Sequence, residues 1–592
     1  MPSAHRQDPP RRTLERLALL APGVLAGCHY AVLLFFLNPD LEYSPASVLR
    51  SLIVFGLALG LASALALRLL LRPGIRSHAR YLPWALTTAL MFVAAAQWFH
   101  ASAFSFYLPP GIDNRLIKSA VLMSVLGLVT FYIALLHTVS GRPYLRKSRV
   151  ALIVVSVLSV AIAVERRAAF PGFSERKGVG ALFPGTPETR LIVVALEGAS
   201  LDAILPLAEQ GQLPFLATLL QQGAHGGMST VPPVRRLPSW FTVATGAHPF
   251  RHGVASAYSL TAPFISPQAT LRLWPWGSGL HRWGVVLGIR HELAAPRQGS
   301  PKLWEILQGL GVVTAIVGWP ADGGHLTNQS LALTDSLFVD SRIPDGAPAQ
   351  TGLARAALEL RPSIESVDPS LFEPLGDNVA DGIRAALVED LWRESAARDL
   401  LASRADIGAL FLALPGLLEV SRSYFGGYAA AQFDGNSDDE PQAAAQALSG
   451  YYAFVDESLQ RIWTATEAPK LMVIASAHGV RQPSGAKKLW STITGGSAIG
   501  GRVDRKSDGV VMLLGEHLRS GSFLGRSAPI DVAPTILYGL GLPIARDIDG
   551  SVLSNAFGTG YLTENPVTFV PSYDAIVPRD DLPMLQVPRA EP

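Results

Sequence analysis

The sequence predicts an all-α transmembrane bundle of about five helices, followed by an α/β domain whose central, mostly parallel sheet is covered by helices on both faces. Three observations predict this. Apolar stretches crowd the first third of the 592 residues. Short, wholly apolar runs alternate with amphipathic segments through the remainder. The mean hydropathy is +0.28, with only 16% charged residues, too apolar for a wholly soluble chain of this length. A formal charge of +2 carries none of the basic excess that nucleic-acid binding needs. Cys28 is the single cysteine, which excludes disulfide staples and cysteine-based metal sites.

The expected spans are residues 15–37, 48–71, 83–106, 117–139 and 149–164, the last being the shortest. Most reach the roughly 20 residues a helix needs to cross a bilayer. A cleavable signal peptide would account for one such stretch, not five. Basic residues sit in the tail at Arg6, Arg11, Arg12 and Arg16, and in alternate loops at Arg72, Arg76, Arg80 and GRPYLRKSR. The intervening loops, NPDLEYSPAS and LPPGIDNR, are nearly free of them. The excess of Lys and Arg on the cytoplasmic side therefore places the N-terminus inside and the C-terminal domain outside. Arg166 and Arg167, just past the last span, count against that orientation. Within the spans His29, Gln97, His100 and His137 are polar, and no row of them lines one helix face. Arg50, Arg68 and Lys118 lie near enough to span ends to snorkel. An anchor is the simplest role for such a bundle, since intramembrane pathways need ionisable groups along one face.

Domain limits follow. Residues 1–14 form a cytoplasmic tail, 15–167 the transmembrane domain, 168–189 a Gly/Pro-rich linker, 190–556 the α/β domain and 557–592 an extended, proline-rich tail. Inside 190–556, RLIVVALEG, VVTAIVGWP, IGALFLALPG, KLMVIASAHG and GVVMLLGEH read as fully buried strands. PKLWEILQGLG, RAALVEDLWRESAARDLLAS and YYAFVDESLQRIWTA read as the covering helices. In such sheets, ligand groups sit at the carboxyl ends of the strands, where Glu197, Gly416 and His478 fall.

The pieces VVALEGASLD, LPFLATLLQQGAHG, TVPPVRRLPSWFTVATGAHPFRHGV, KLWEILQGLGVVTAIVGWPA, LPGLLEVSRSYF, VIASAHGV, SDGVVMLLG and IDVAPTILYGLGLPIARDIDG occur in this order over residues 190–556. Their order resembles the alkaline-phosphatase superfamily, and within it the type I phosphodiesterase/nucleotide pyrophosphatase branch. The layout of several spans before such a domain also resembles phosphoethanolamine transferases and lipoteichoic-acid synthases. The resemblance implies an alkaline-phosphatase-like fold and two metal ions, usually zinc. Those metals would activate a Ser or Thr nucleophile and stabilise an in-line phosphoryl displacement.

Position by position, the residues depart from that chemistry. The first strand should end in Asp-Gly and ends in Glu197-Gly198. The nucleophile position holds Arg236, with Ser239 about one helical turn further on. The middle strand should be followed by an Asp and a His four residues apart; Leu418 and Arg422 stand there. The Asp-His-Gly strand end reads Ala477-His478-Gly479, and the late His is replaced by Arg505. Of the metal-ligand positions Glu197, Leu418, Ala477 and His478, only His478 is unchanged. No metal or other cofactor is therefore expected.

The substitutions remove cation ligands and add fixed cations. Two arrangements satisfy the added charge. Glu197 pairs with Arg236, while Glu419, Asp504 or Asp508 pair with the other arginines, filling the former site as a structural core. Alternatively Arg236, Arg422, Arg505 and His478 converge on an anionic ligand, since guanidinium holds phosphate without a metal. Thr245 and His252 read as packing and capping beneath the site; His225, His248 and His325 form no compensating cluster. Trp274, Trp276 and Trp283 suggest an aromatic surface over the cleft or packing between an insert and the core.

Three functions fit this chain. The first is a membrane-anchored pseudoenzyme that binds, senses or scaffolds at the outer face of a bacterial cytoplasmic membrane, with a periplasmic domain. Its partners would be membrane lipid and an anionic or phosphate-containing ligand. The second is a hydrolase or headgroup phosphotransferase with a modified site. The third is a lipid-handling or transport protein with an accessory soluble domain, which the sparse intramembrane charge disfavours.

Overall fold

The computed structural model describes residues 19–70, 82–142, 144, 146–168, 186–256, 258–263, 265–267, 269–275, 291–293, 300–320, 330–341, 348–376, 379–436, 438–467, 469–482 and 499–577. The chain divides into two compact units. One comprises Met1–Ser174 with Val254–Ala294, the other Glu175–Gly253 with Ala295–Pro592. Trp276, Trp283 and His325 lie outside the described residues.

In the first unit the helices Pro45–Leu70, Leu82–Ala103, Pro110–Ser140 and Arg146–Arg167 are long and apolar enough to cross a membrane. A shorter apolar helix, Ala21–Leu37, precedes them. The last is longer than its apolar run, residues 149–164, because the charged segments at both ends stay helical.

Small residues bring the first two helices together. Gly23 and Gly27 on one, and Gly56 and Gly60 on the other, form two facing G-x-x-x-G patterns. A Cβ on Gly27 would lie 2.1 Å from the Phe55 carbonyl oxygen and 2.8 Å from Gly56 Cα. Close backbone approach of this kind drives helix association in lipid, where no hydrophobic force distinguishes side chain from solvent. Hydrogen bonds add to it. His29 Nε2 meets Ser159 Oγ at 3.0 Å, Trp98 Nε1 donates to Ser124 Oγ, and His137 Nε2 meets Ser148 Oγ.

Arg167 does not behave as a flanking charge. It is buried, its Nε donates to the Phe35 carbonyl at 2.7 Å, and an Nη donates to Pro39. Its guanidinium lies 4.9 Å from the Tyr43 ring centroid. It caps the carboxyl end of Ala21–Leu37, where helix carbonyls lack intrahelical partners.

Thirteen strands complete the described chain. They are β1 (Arg190–Leu196), β2 (Ala224–Met228), β3 (Tyr258–Thr261), β4 (Thr270–Leu271), β5 (His291–Leu293), β6 (Val313–Val317) and β7 (Ser330–Leu333). The others are β8 (Ile407–Leu414), β9 (Lys470–Ser476), β10 (Gly509–Gly515), β11 (Ser522–Ser527), β12 (Ile544–Ala545) and β13 (Phe569–Val570).

The strands β3 to β5 fall within residues 190–556, yet they belong to the first unit. Leu260, Ala262, Ile265, Ala269 and Leu271 share an apolar cluster with Leu34, Phe35, Leu41 and Val48. Asn38 clamps the same segment: its Oδ1 accepts from the backbone of Arg272 at 2.7 Å and Leu273 at 2.9 Å, and its Nδ2 donates to Leu273 at 2.7 Å. Trp274 meets the Tyr30 ring at 6.1 Å, so its aromatic surface serves packing within this unit.

The second unit is built on an eight-stranded sheet in the order β11-β2-β10-β9-β1-β8-β6-β7. All run one way except β10, antiparallel to β9 and β2. Its central strands are buried on both faces, as parallel sheets covered by helices require. This is the mostly parallel α/β sheet, covered by helices, that the sequence predicts. The tail departs from the expected extended form: Thr559–Glu564 is helical, β13 pairs with β12, and Tyr573 is buried with its hydroxyl donating to Pro543. Among its described apolar residues Phe557, Val570 and Tyr573 are buried, while Val567 and Phe569 are exposed.

Replacing Gly27 by Leu will push the two close helices apart. A loss of about 1–3 kcal/mol is expected for such overpacking, read as a lowered melting temperature of the full chain in detergent. An unchanged melting temperature would show that the glycine contact is not tight.

Candidate functional site

The five strands β9, β1, β8, β6 and β7 are neighbours and parallel. Their carboxyl ends therefore open on one edge, where the chain presents Glu197, Gly318, Asp335, Leu418 and Ala477-His478. Two glycines permit the close approach there. Gly198 has φ +86°, a left-handed backbone that favours glycine, and its Cβ would lie 2.8 Å from Leu418 Cα. Gly479, bridged to Gly198, would place a Cβ 2.3 Å from the Asp508 carbonyl oxygen.

A chain of opposite charges fills this edge. Glu197, only 1% exposed, accepts from Arg236 Nε at 2.6 Å and from Trp240 Nε1 at 3.0 Å. Arg236 then reaches Asp335 through Nη1 at 2.9 Å and Nη2 at 3.4 Å. Asp335 also receives Arg393 Nη1 at 3.2 Å and Nη2 at 3.1 Å. Arg393, wholly buried, is completed by Glu389 and the Gly318 carbonyl at 3.0 Å, with the Phe338 ring 4.6 Å away. Burial works against the charge on Arg236, and Glu197 and Asp335 outweigh it, so the guanidinium is held above the ordinary arginine value. Burial likewise opposes the Asp335 charge, but Arg236 and then Arg393 hold its carboxyl below the usual range. Every charge in the chain has a partner, which is what burial demands.

The other expected positions are placed as follows. Leu418 and Ala477 are buried side chains with nothing to ligate a cation. His478 is 4% exposed, and its Nδ1 has no hydrogen-bond partner among the described residues. Burial pushes its imidazole down, while the Glu197 charge pulls it up and the Arg422 charge pulls it down. Arg422 and Arg505 are exposed rather than buried. The Arg505 carbonyl accepts from Thr230 Oγ1 at 3.0 Å.

Of the expected charge partners, Asp508 pairs with Arg526 on β11 at 2.7 Å. Asp504 Oδ1 accepts from the Lys506 backbone, and Glu419 is exposed. Ser239 is fully buried within the helix Arg236–Thr245, out of reach of any substrate. Thr242 Oγ1 meets His252 Nε2 at 3.2 Å, and Thr245 donates to Phe241; these are packing contacts beneath the edge.

These residues do not fit the two metal ions that the resemblance implies. Two ligand positions are apolar, and the one carboxylate is occupied by Arg236 and Trp240. Among the described residues no group of three or more His, Cys, Asp or Glu is arranged to hold a metal ion.

Asp335, Arg393 and Trp240 were not singled out from the sequence. Asp335 had a usable signal, an acid two residues beyond a short apolar run, SLAL. Arg393 sits mid-helix in Asp381–Ser403 and had none. Asp390 on that helix, fully buried, was missed as well. Its Oδ2 accepts from Tyr451 at 2.9 Å and from the Gly416 backbone at 3.0 Å, anchoring the helix Gly416–Gln432 that carries Leu418 and Arg422. Burial pushes its carboxyl up to about 7, against the lowering pull of Arg393 and the Tyr451 hydroxyl.

The profile of the type I phosphodiesterase / nucleotide pyrophosphatase family matches residues 191–493. No curated protein matches the sequence. Among solved structures, human ectonucleotide pyrophosphatase / phosphodiesterase 5 is 12% identical, covers 63% of this chain and 100% of its own, and has a TM-score of 0.36. A phosphonate monoester hydrolase from Silicibacter pomeroyi is 13% identical over 62% of this chain and 76% of that one, TM-score 0.34. Phosphonoacetate hydrolase from Sinorhizobium meliloti 1021 is 15% identical over 53% of this chain, TM-score 0.31. The match spans 62% of that hydrolase.

Two outcomes follow from this geometry. Arg236→Met leaves the buried Glu197 uncompensated and should cost about 2–4 kcal/mol, discounted because the Arg236 side chain is 39% exposed. Adding Glu197→Gln should recover most of the loss; an additive pair in denaturant unfolding would refute the coupling. Asp390 has a folded pKa raised above its unfolded value, so its stabilising contribution is complete near pH 4 and is lost as pH rises through about 7. Asp390→Asn should therefore raise the melting temperature at pH 8 relative to the parent and gain little at pH 4. Equal shifts at both pH values would contradict a buried, proton-holding carboxyl.

Proposed function

The chain belongs to the type I phosphodiesterase / nucleotide pyrophosphatase family, within the alkaline-phosphatase superfamily, and from that membership we propose that it is a membrane-anchored pseudoenzyme. The fold is kept, the two-metal phosphoryl chemistry is given up, and the domain acts by binding, sensing or scaffolding at the cell envelope. The observation that carries this reading is the 2.6 Å pair of Arg236 with Glu197. A guanidinium stands at the nucleophile position and neutralises the only carboxylate left among the ligand positions. An internal cation has taken the electrostatic place of an external one.

The apolar helices support a membrane protein. The alternation of basic loops supports the N-terminus inside and the large domain outside, periplasmic in a bacterial cytoplasmic membrane. The burial of Arg167 as a helix cap accounts for one of the two charges that stood against this orientation, and Arg166 remains.

One observation favours a second reading. The His478 imidazole is buried with an unpartnered nitrogen close to Glu197, so a single metal on these two residues would make the protein an altered hydrolase or transferase. The two readings separate on the purified full chain. Metal content and hydrolysis of bis(p-nitrophenyl) phosphate are measured with added zinc or manganese. The pseudoenzyme reading expects no turnover above buffer and a melting temperature unmoved by chelator. Stoichiometric metal, with turnover abolished in His478→Ala, would overturn it.

A further inference from the structure

Residues 481 and 502 face each other across an isolated antiparallel bridge, and both are arginine. Arg481 N donates to the Arg502 carbonyl at 3.1 Å, and Arg502 N to the Arg481 carbonyl at 2.9 Å. Residues that exchange both bonds sit directly opposite, with side chains on the same face. Like charges placed this way repel each other, so this pairing is unfavourable unless something negative joins it.

The backbone brings a third arginine alongside. Gly501 N donates to the Arg422 carbonyl at 2.7 Å, and Gly501 lies flat on the helix Gly416–Gln432. A Cβ there would be 2.3 Å from the Ser421 carbonyl oxygen and 2.4 Å from Val480 Cγ1. Only glycine lets the ribbon press this close, and that approach sets Arg502 beside Arg422. Arg422, Arg481 and Arg502 are all exposed, and among the described residues none has an ion-pair partner. The acids in the neighbouring turn are turned to other work. Asp508 pairs with Arg526, and Asp504 Oδ1 accepts from Lys506 N. Asp504 lies two residues after Arg502, and Glu419, three residues before Arg422, is exposed. Arg505 and Lys506 extend the positive surface.

We infer that Arg481 and Arg502, together with Arg422 at the edge of the former metal positions, form a metal-free binding site for a phosphate-bearing anion. Planar guanidinium forks take phosphate oxygens two at a time, and several on one small surface favour an anion with more than one charge. The surface is open, so binding weakens with salt. The inference rests on the pseudoenzyme reading, since it gives the domain a ligand held without catalysis. The ligand is either a soluble phosphate compound or an anionic phospholipid headgroup, which share this chemistry.

The test is calorimetric titration of the full chain with inorganic pyrophosphate at low and high salt. Binding that weakens with salt, and weakens about tenfold or more in Arg481→Gln/Arg502→Gln, is the expected result. Arg526→Gln, which removes a cation already paired with Asp508, should change affinity less than twofold. Gly501→Ala, which keeps every charge but lifts the ribbon from the helix, should weaken binding as well. No binding by the parent, or equal binding by the double variant with its melting temperature unchanged, overturns the inference. Repeating the titration in nanodiscs separates the sources. Weaker pyrophosphate binding in phosphatidylglycerol than in phosphatidylcholine discs assigns the site to a lipid headgroup, and equal binding assigns it to a soluble anion. Metal-dependent turnover would end the pseudoenzyme reading and leave these binding results standing, so the two failures are distinguishable.

Discussion

A carboxylate buried at the end of a central strand must be neutralised. Glu197 stands at the carboxyl end of β1, between β8 and β9, where water cannot solvate it. The compensation comes from within the chain. It is the Arg236 guanidinium, joined by the Trp240 indole. Once that guanidinium is committed, its remaining donors need acceptors, which brings in Asp335, and Asp335 in turn accommodates Arg393. The helix Arg236–Thr245, the turn after β7 and the helix Asp381–Ser403 are thereby tied to one electrostatic chain. Such a chain contributes less to net stability than to fixing one arrangement, because each pair is offset by desolvation.

The glycines act on the same edge by geometry. Gly198 and Gly479 let β1 and β9 end against Leu418 and the Asp508 backbone with no side chain between them. That closeness suits a site meant to gather ligands from several strands. Leu418 and Ala477 occupy it as packing instead. In this chain the edge is closed by burial and ion pairing.

The membrane unit follows a related rule. Its first two helices touch through glycines, its polar residues join helices in pairs, and Asn38 fastens residues 272 and 273 to the helix end. That clamp explains why a segment counted with the α/β domain by its position in the chain packs with the helices. Sequence order alone carries no record of such a contact.

Much was nonetheless legible in the residues. Wholly apolar runs such as RLIVVAL and KLMVIAS announce doubly covered strands, because both faces of a parallel sheet must be buried. The apolar spans declare themselves by length, and the lost ligands by side-chain type: no conformation turns Leu418 or Ala477 into a metal ligand. The pairing of Glu197 with Arg236 was anticipated as one of two arrangements, since a buried charge requires its opposite. Which arginines are buried could not be read, because burial depends on neighbours distant in sequence. Arg236 turned inward, while Arg422 and Arg505 stayed at the surface. Asp335 and Arg393 were hidden for the same reason, as they meet each other across 58 positions and Asp335 meets Arg236 across 99. The sequence determined the layers, the apolar helices and the side-chain types at the strand ends, which are local properties of composition and period. The tertiary structure decided which charges meet, because an ion pair is a matter of distance, and distance is set by the packing of the whole sheet.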